Sequence, residues 1–275
     1  MRPSASCARL APLARLRAGL LLALAATACG APRVENAGPV AGVRRPVPPF
    51  GLASSRDAVV RVLGDVICSG TLIADDRVLT ARQCVVTHGG EGGVVPRDRS
   101  PEQITVELGG DDLPWGEARV RAVVAPECSE TPSEGDIAIL VLSRHLAGLP
   151  VGKVRLDRAP QRREDVSILG FGRCALSAYV LHRSQRDAGP VDFVSSGHFM
   201  LGASLCPGDG GAPVFGGGEV IGVASTRPAG DGTLVSSMFT RVDVWPLLFS
   251  VAVAVSEGVS PVEPPAQRGC RILVR

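Results

Sequence analysis

A chain of 275 residues with 45% hydrophobic and 20% charged side chains has the make-up of a globular protein, which argues against wholesale disorder. Its 33 glycines and 22 prolines, one fifth of the chain, argue against a helix bundle and for many short elements joined by turns. The formal charge of +2, the 4% of aromatics and the scatter of the basic residues, all Arg except Lys153, exclude an obvious nucleic-acid surface.

In chain order, the first segment stands apart. Residues 1–28 carry Arg2, Arg9, Arg15 and Arg17, no acid, and then the apolar run from Gly19 to Ala26. A basic region followed by a short apolar stretch reads as a secretory signal, because a membrane span needs about 20 apolar residues. Ala26-Thr27-Ala28 fits a small-x-small cleavage site. The next residue is Cys29, so Leu24 to Cys29 also resembles a bacterial lipoprotein box, apart from Ala26, where a larger aliphatic residue is usual. Plain secretion and lipidation of Cys29, which would anchor the chain to a membrane, are both open. Either places the remainder outside the cytoplasm. Without the four arginines the remainder has 25 basic and 27 acidic residues, a formal charge of about −2. Cys7 leaves with the signal. Cys29, Cys68, Cys84, Cys128, Cys174, Cys206 and Cys270 remain, an odd number that becomes even if Cys29 is lipidated.

Residues 29–55 have no clean period and read as a linker or irregular lead-in. The spacing then predicts strands at 58–63, 71–74, 78–80, 104–108, 119–125 and 137–142. A second set falls at 166–170, 198–201, 213–215, 220–224 and 238–242. Short strands without intervening helical patterns predict an all-β sandwich or barrel. One helix is expected over 244–256, and residues 259–275 read as a C-terminal tail. No internal repeat is visible.

Three segments carry chemistry. They are Cys68-Ser-Gly-Thr-Leu-Ile with Val78-Leu-Thr-Ala-Arg-Gln83-Cys84, then Asp136-Ile-Ala-Ile-Leu140, then Cys206-Pro-Gly-Asp-Gly210-Gly-Ala-Pro213-Val. In this order they resemble the trypsin/chymotrypsin-like serine proteases, with further matches at Gly170-Phe-Gly172, Gly222-Val-Ala-Ser225 and Phe239-Thr-Arg-Val242. The resemblance covers residues 56–258 as one domain. It implies two six-stranded β-barrels, a short C-terminal helix and an active site in the cleft between the barrels.

The family's reaction needs a serine that attacks, a histidine that takes its proton and a buried aspartate that orients the imidazole. The resemblance places these roles at Gly210, Gln83 and Asp136. Only the aspartate is kept. Glycine has no hydroxyl, and a carboxamide does not titrate near neutral pH. Loss of such a group costs roughly a million-fold in turnover. The oxyanion hole is made of backbone N–H groups, which substitution spares, and falls at Gly208 and Gly210. The specificity pocket falls at Ser204, Ser225 and Arg227, where Arg227 replaces a glycine and should obstruct or re-charge the pocket. The four histidines, His88, His145, His182 and His198, read as loop or surface residues that do not rescue the site.

Family members are activated by a new N-terminus that pairs with the acid before the serine, here Asp209. The upstream segment offers only Pro39-Val-Ala-Gly42 with no basic residue before it, so Asp209 is expected to have another partner. The resemblance implies a Cys68–Cys84 disulfide. Cys174–Cys206 is a candidate bridge and Cys128–Cys270 is left by elimination, although six cysteines allow fifteen pairings.

The expectation is therefore a secreted or lipid-anchored, monomeric, non-catalytic protease homologue that binds a protein or peptide. It should have no cofactor, no metal and no nucleic-acid partner. The alternatives are a serine-type endopeptidase with an atypical site and an envelope structural protein that uses the fold as a scaffold.

Overall fold

Runs of Val, Ile, Leu and Thr cut by Gly, Pro and Asp favour the pleated strand and are too short for stable helices. In the computed structural model, which describes residues 54–88, 94–128, 135–173, 182–202, 205–225 and 237–275, they form two closed barrels. The expected signal segment, Cys29 and the lead-in up to residue 53 lie outside the described residues.

The first barrel contains β1 (Val59–Leu63), β2 (Ile67–Ala74) and β3 (Arg77–Thr80). A side hairpin of β4 (Val86–His88) and β5 (Val94–Asp98) follows, then β6 (Thr105–Leu108), β7 (Gly116–Cys128) and β8 (Ala138–Leu142). The barrel order is β1-β2-β3-β8-β7-β6, and β6 closes it on β1. The second barrel contains β9 (Asp165–Gly170), β10 (Ser184–Val194), β11 (His198–Leu201), β12 (Pro213–Gly216), β13 (Glu219–Ser225) and β14 (Ser237–Arg241). Its order is β9-β10-β11-β14-β13-β12, closed by β12 on β9. Each barrel thus joins its first, second, third, sixth, fifth and fourth strands in that sequence. The repeat that is invisible in the sequence exists in the topology, because strand order depends on the pattern of burial and not on residue identity.

Alternation sets the cores. Val60, Val62, Leu72, Val106, Val120, Ala138 and Leu140 point into the first barrel. Ile168, Val191, Phe199, Leu201, Val214 and Phe239 fill the second, with the Phe199 and Phe239 rings stacked 5.3 Å apart. Strand β8 is buried at every position because both its faces are covered. Its outer residues Ile139 and Val141 lie under the C-terminal helix α1 (Pro246–Ser256). That helix presents Leu248, Val251, Ala252 and Val255, the i, i+3, i+4, i+7 positions of one face. Pro246 begins it, and the Arg121 guanidinium donates to the carbonyls of Val255 and Ser256 at its end.

The C-terminal stretch departs from expectation. Within the expected tail, β15 (Ala266–Gln267) turns into β16 (Cys270–Val274), and β16 pairs with β7 over five residues. The Pro-rich lead into this hairpin hid it. Ile272 is fully buried, and Cys270 is bonded to its register partner Cys128. The expected Cys68–Cys84 bridge is also formed. Cys206 is disulfide-bonded, and Cys174, its expected partner, lies outside the described residues.

The barrels meet along β1. Its alternate residues Val59 and Arg61 face the second barrel, where Val59 packs with Leu169 and Phe171. The Arg61 guanidinium lies 4.2 Å from the centre of the Phe171 ring and donates to the Asp112 carbonyl at 2.8 Å. A second buried guanidinium, Arg183, reaches back from the start of the second barrel. It donates to Asp57 at 2.7 Å, Asp111 at 3.0 Å and the Arg56 carbonyl at 2.6 Å.

The Cys128–Cys270 bridge closes a loop of 142 residues. Cys270→Ser should therefore lower the stability to unfolding by about 2–5 kcal/mol. Paired urea melts of wild type and variant measure this, and the bridge is not structural if the curves coincide.

Candidate functional site

Gln83 sits in a 3-10 turn, Arg82–Val85, that follows β3. The Cys68–Cys84 bridge ties this turn to β2, and the Thr80 hydroxyl donates to the Ser69 carbonyl at 2.8 Å. Asp136 enters just before β8. Gly208, Asp209 and Gly210 lie in the connection from β11 to β12, and Ser225 ends β13. Both barrels therefore contribute to one place.

Three donors converge on the Asp136 carboxylate. The Gln83 backbone N–H donates to Oδ1 at 2.9 Å, the Gln83 carboxamide Nε2 to Oδ2 at 3.2 Å and the Ser225 hydroxyl to Oδ2 at 2.5 Å. Ser225, placed by sequence at the specificity pocket, thus turns its hydroxyl onto the aspartate. The Gln83 amide makes the bond that an imidazole N–H makes in an active triad, but no titrating group follows it. Burial pushes the Asp136 carboxyl above the usual carboxylate range. The Ser225 and Gln83 hydrogen bonds oppose this, as do the positive fields of His198 and Arg82. His198 corrects the expectation of a surface residue: it is buried at the head of β11. His145 and His182 are exposed and pair with Asp75 and Asp112. The His88 side chain, Ser204 and Arg227 lie outside the described residues.

The loop that carries Gly208 and Gly210 is fastened at both of their carbonyls. The Ser69 hydroxyl donates to the Gly208 carbonyl at 2.8 Å and accepts from the Phe171 N–H at 3.0 Å. The Ser69 N–H donates to the Gly210 carbonyl at 2.8 Å. Gly208 adopts φ +103°, a conformation glycine reaches without strain.

Asp209 is 0% exposed. Its Oδ1 accepts from the Gly172 N–H at 3.0 Å and its Oδ2 from the Cys206 N–H at 2.8 Å. Its charge is met by Arg186 of β10, whose Nη2 lies 2.7 Å from Oδ1. The expected substitute for a new N-terminus is therefore an arginine of the chain's own second barrel. Gly172 is obligatory here, since a Cβ on it would overlap the Asp209 carboxylate. No sequence signal marked Arg186: β10 reads Ser-Gln-Arg-Asp-Ala-Gly-Pro-Val-Asp-Phe-Val and has no clean alternation.

Among the described residues, Asp75, Asp76 and His145 bring ligand atoms within 4.8 Å of one another. Asp76 is already engaged by Arg77 and Ser256, which fits a structural turn better than a metal site.

Two outcomes follow from these pairs. Removing the cation of a buried pair leaves an uncompensated charge, so Arg186→Gln should cost about 3–5 kcal/mol in stability. It should also loosen the loop, seen as faster hydrogen exchange at residues 208–211; unchanged exchange and stability would show that Asp209 does not depend on Arg186. For Asp136, the folded state holds its proton more tightly than the unfolded state. The Asp136 contribution to stability should therefore be full below the unfolded carboxylate value and be lost as pH rises through the raised folded value. Asp136→Asn should remove this slope, as read by urea melts across the acid-to-neutral range.

The comparisons with known proteins agree with this geometry. The family model described as Trypsin matches residues 53–246. A trypsin of Saccharopolyspora erythraea is 25% identical in an alignment of 189 residues that covers 61% of this chain and 78% of that protein. Among solved structures, the scabies mite inactivated protease paralogue S-I1 is 23% identical with a TM-score of 0.58 and covers 74% of this chain and 98% of its own. A mutant of human heparin binding protein is 20% identical with a TM-score of 0.60 and covers 76% of this chain and 97% of its own. These two likenesses speak for the fold. With the family match extending over most of the chain and the two barrels in place, this protein belongs to the trypsin family.

Proposed function

We propose that this chain is an exported, non-catalytic trypsin-family protein that binds a peptide or protein segment in its cleft. The observation that carries the reading is the contrast within the site. Asp136, Ser225 and the Gly208–Gly210 loop are assembled, while the positions of base and nucleophile hold Gln83 and Gly210. Mutational drift after loss of function would be expected to erode the assembled parts too. A cleft between two barrels can accept an extended segment by main-chain pairing. The likeness to an inactivated protease paralogue of the scabies mite supports the reading, since the fold persists there without the activity. The disulfides and the basic, then apolar, N-terminal sequence support export.

The test sets wild type beside the double variant Gln83→His plus Gly210→Ser, using a fluorophosphonate label and a mixed chromogenic peptide assay. Wild type should take no label and give no turnover. The double variant should be labelled, because its oxyanion donors and Asp136 stand ready. Wild-type hydrolysis that a single substitution in the cleft abolishes would overturn the proposal in favour of an atypical endopeptidase.

A further inference from the structure

Residues 153–164, which run up to β9, hold five basic side chains against two acidic ones in a chain whose formal charge is only +2. Arg155, Arg158, Gln161, Arg162, Arg163 and Glu164 line a pocket of about 320 Å³ that shares no residue with the cleft. Three of the positive charges are answered within the protein. Both Glu164 oxygens accept from the fork of the buried Arg155, at 2.7 and 2.9 Å. Arg158 pairs with Asp157 and Glu219, and Lys153 also pairs with Glu219. Arg162 uses only its Nε, which donates to the Asp192 carbonyl at 3.1 Å, and the Arg163 side chain has no partner among the described residues. Two guanidinium charges are therefore unanswered on adjacent residues of one pocket.

The backbone beneath them is fixed. The Glu164 N–H donates to the Gln161 carbonyl at 3.1 Å and closes a turn, and the Gln161 N–H donates to Glu164 Oε2 at 3.0 Å. The Arg163 N–H donates to the Val191 carbonyl of β10 at 2.8 Å, and the Val191 N–H to the Glu164 carbonyl at 2.9 Å. Arg163 is the third residue of this turn and has φ +66°, where glycine is favoured. A strained residue persists only where its surroundings over-determine it, and such residues cluster at ligand sites. Here the strain places an arginine beside Arg162 before any ligand arrives, which lowers the ordering cost of binding.

The donor set selects the ligand. One arginine fork takes up both oxygens of a carboxylate, as Arg155 does with Glu164. Two further forks call for more oxygens and more charge. A phosphate monoester has three terminal oxygens and a charge of about −1.5 to −2 at neutral pH. We infer that this pocket binds a phosphate group, free or as the monoester of a small molecule, through the guanidinium groups of Arg162 and Arg163 beside the Arg155–Glu164 pair. The inference goes beyond the reading of the cleft and does not depend on it.

The experiment titrates the full chain, labelled with nitrogen-15, with inorganic phosphate, with glycerol 3-phosphate and with chloride, all at one ionic strength so that screening is constant. The backbone amide resonances of Arg162, Arg163 and Glu164 should shift with the two phosphates and not with chloride. Saturation at a lower concentration of the ester assigns the site to phosphate esters, and the reverse order assigns it to free phosphate. Arg163→Gly and Arg163→Gln should each need roughly tenfold more phosphate for the same shift at Glu164. Arg163→Gly should at the same time keep or raise the midpoint of a urea melt, because glycine suits φ +66°, so that its weaker binding is not a loss of fold. Equal responses to phosphate and chloride, or variants that take up phosphate like the wild type, would overturn the proposal.

Discussion

A single buried carboxylate organises the cleft. Asp209 has no access to solvent, and an unpaired charge there would cost several kcal/mol. Its satisfaction takes groups from three separate stretches: the Gly172 N–H after β9, the Arg186 guanidinium of β10 and the Cys206 N–H of its own loop. These contacts fix residues 205–212, where the Gly208 and Gly210 N–H groups have no protein acceptor among the described residues. Arg186 is part of the folded chain, so the loop takes this form without a new amino terminus.

The second constraint is the contact of the two barrels. Gln83 and Asp136 come from the first, and Gly208, Gly210 and Ser225 from the second, so the site exists only if the barrels keep their relation. Arg61 against Phe171 and Arg183 against Asp57 and Asp111 hold that relation with buried, hydrogen-bonded guanidinium groups. Planar, permanently charged and rich in donors, arginine suits such joints better than lysine does. That accords with a chain whose basic residues are Arg at every position but Lys153. The near absence of Lys has a structural use at these points.

Much of the fold was legible before any coordinates. All eleven expected strands are present, because alternation of buried and exposed residues is a local property. Strand β10 was missed, since its outer face is polar and Gly189 and Pro190 interrupt it. Strand β16 was missed for a different reason: only its pairing with β7 and the Cys128–Cys270 bridge make it a strand at all. In the site, Gln83, Asp136 and Gly210 were readable because each lies in a contiguous motif. Arg186 and His198 were not, since both act across the barrel on residues distant in sequence.

The sequence by itself determined what the site cannot contain. No packing gives glycine a hydroxyl or a carboxamide a proton equilibrium near neutral pH, so Gly210 and Gln83 speak from composition alone. The abundance of Gly and Pro likewise pointed to a β protein with many turns before any contact was known. Only the tertiary structure decided what surrounds those two positions. Hydrogen bonds from Ser225 and Gln83 keep Asp136 oriented, and Arg186 meets the charge of Asp209. Those are relations between groups well separated along the chain, and a buried charge finds its partner by proximity in space, which the order of residues does not state.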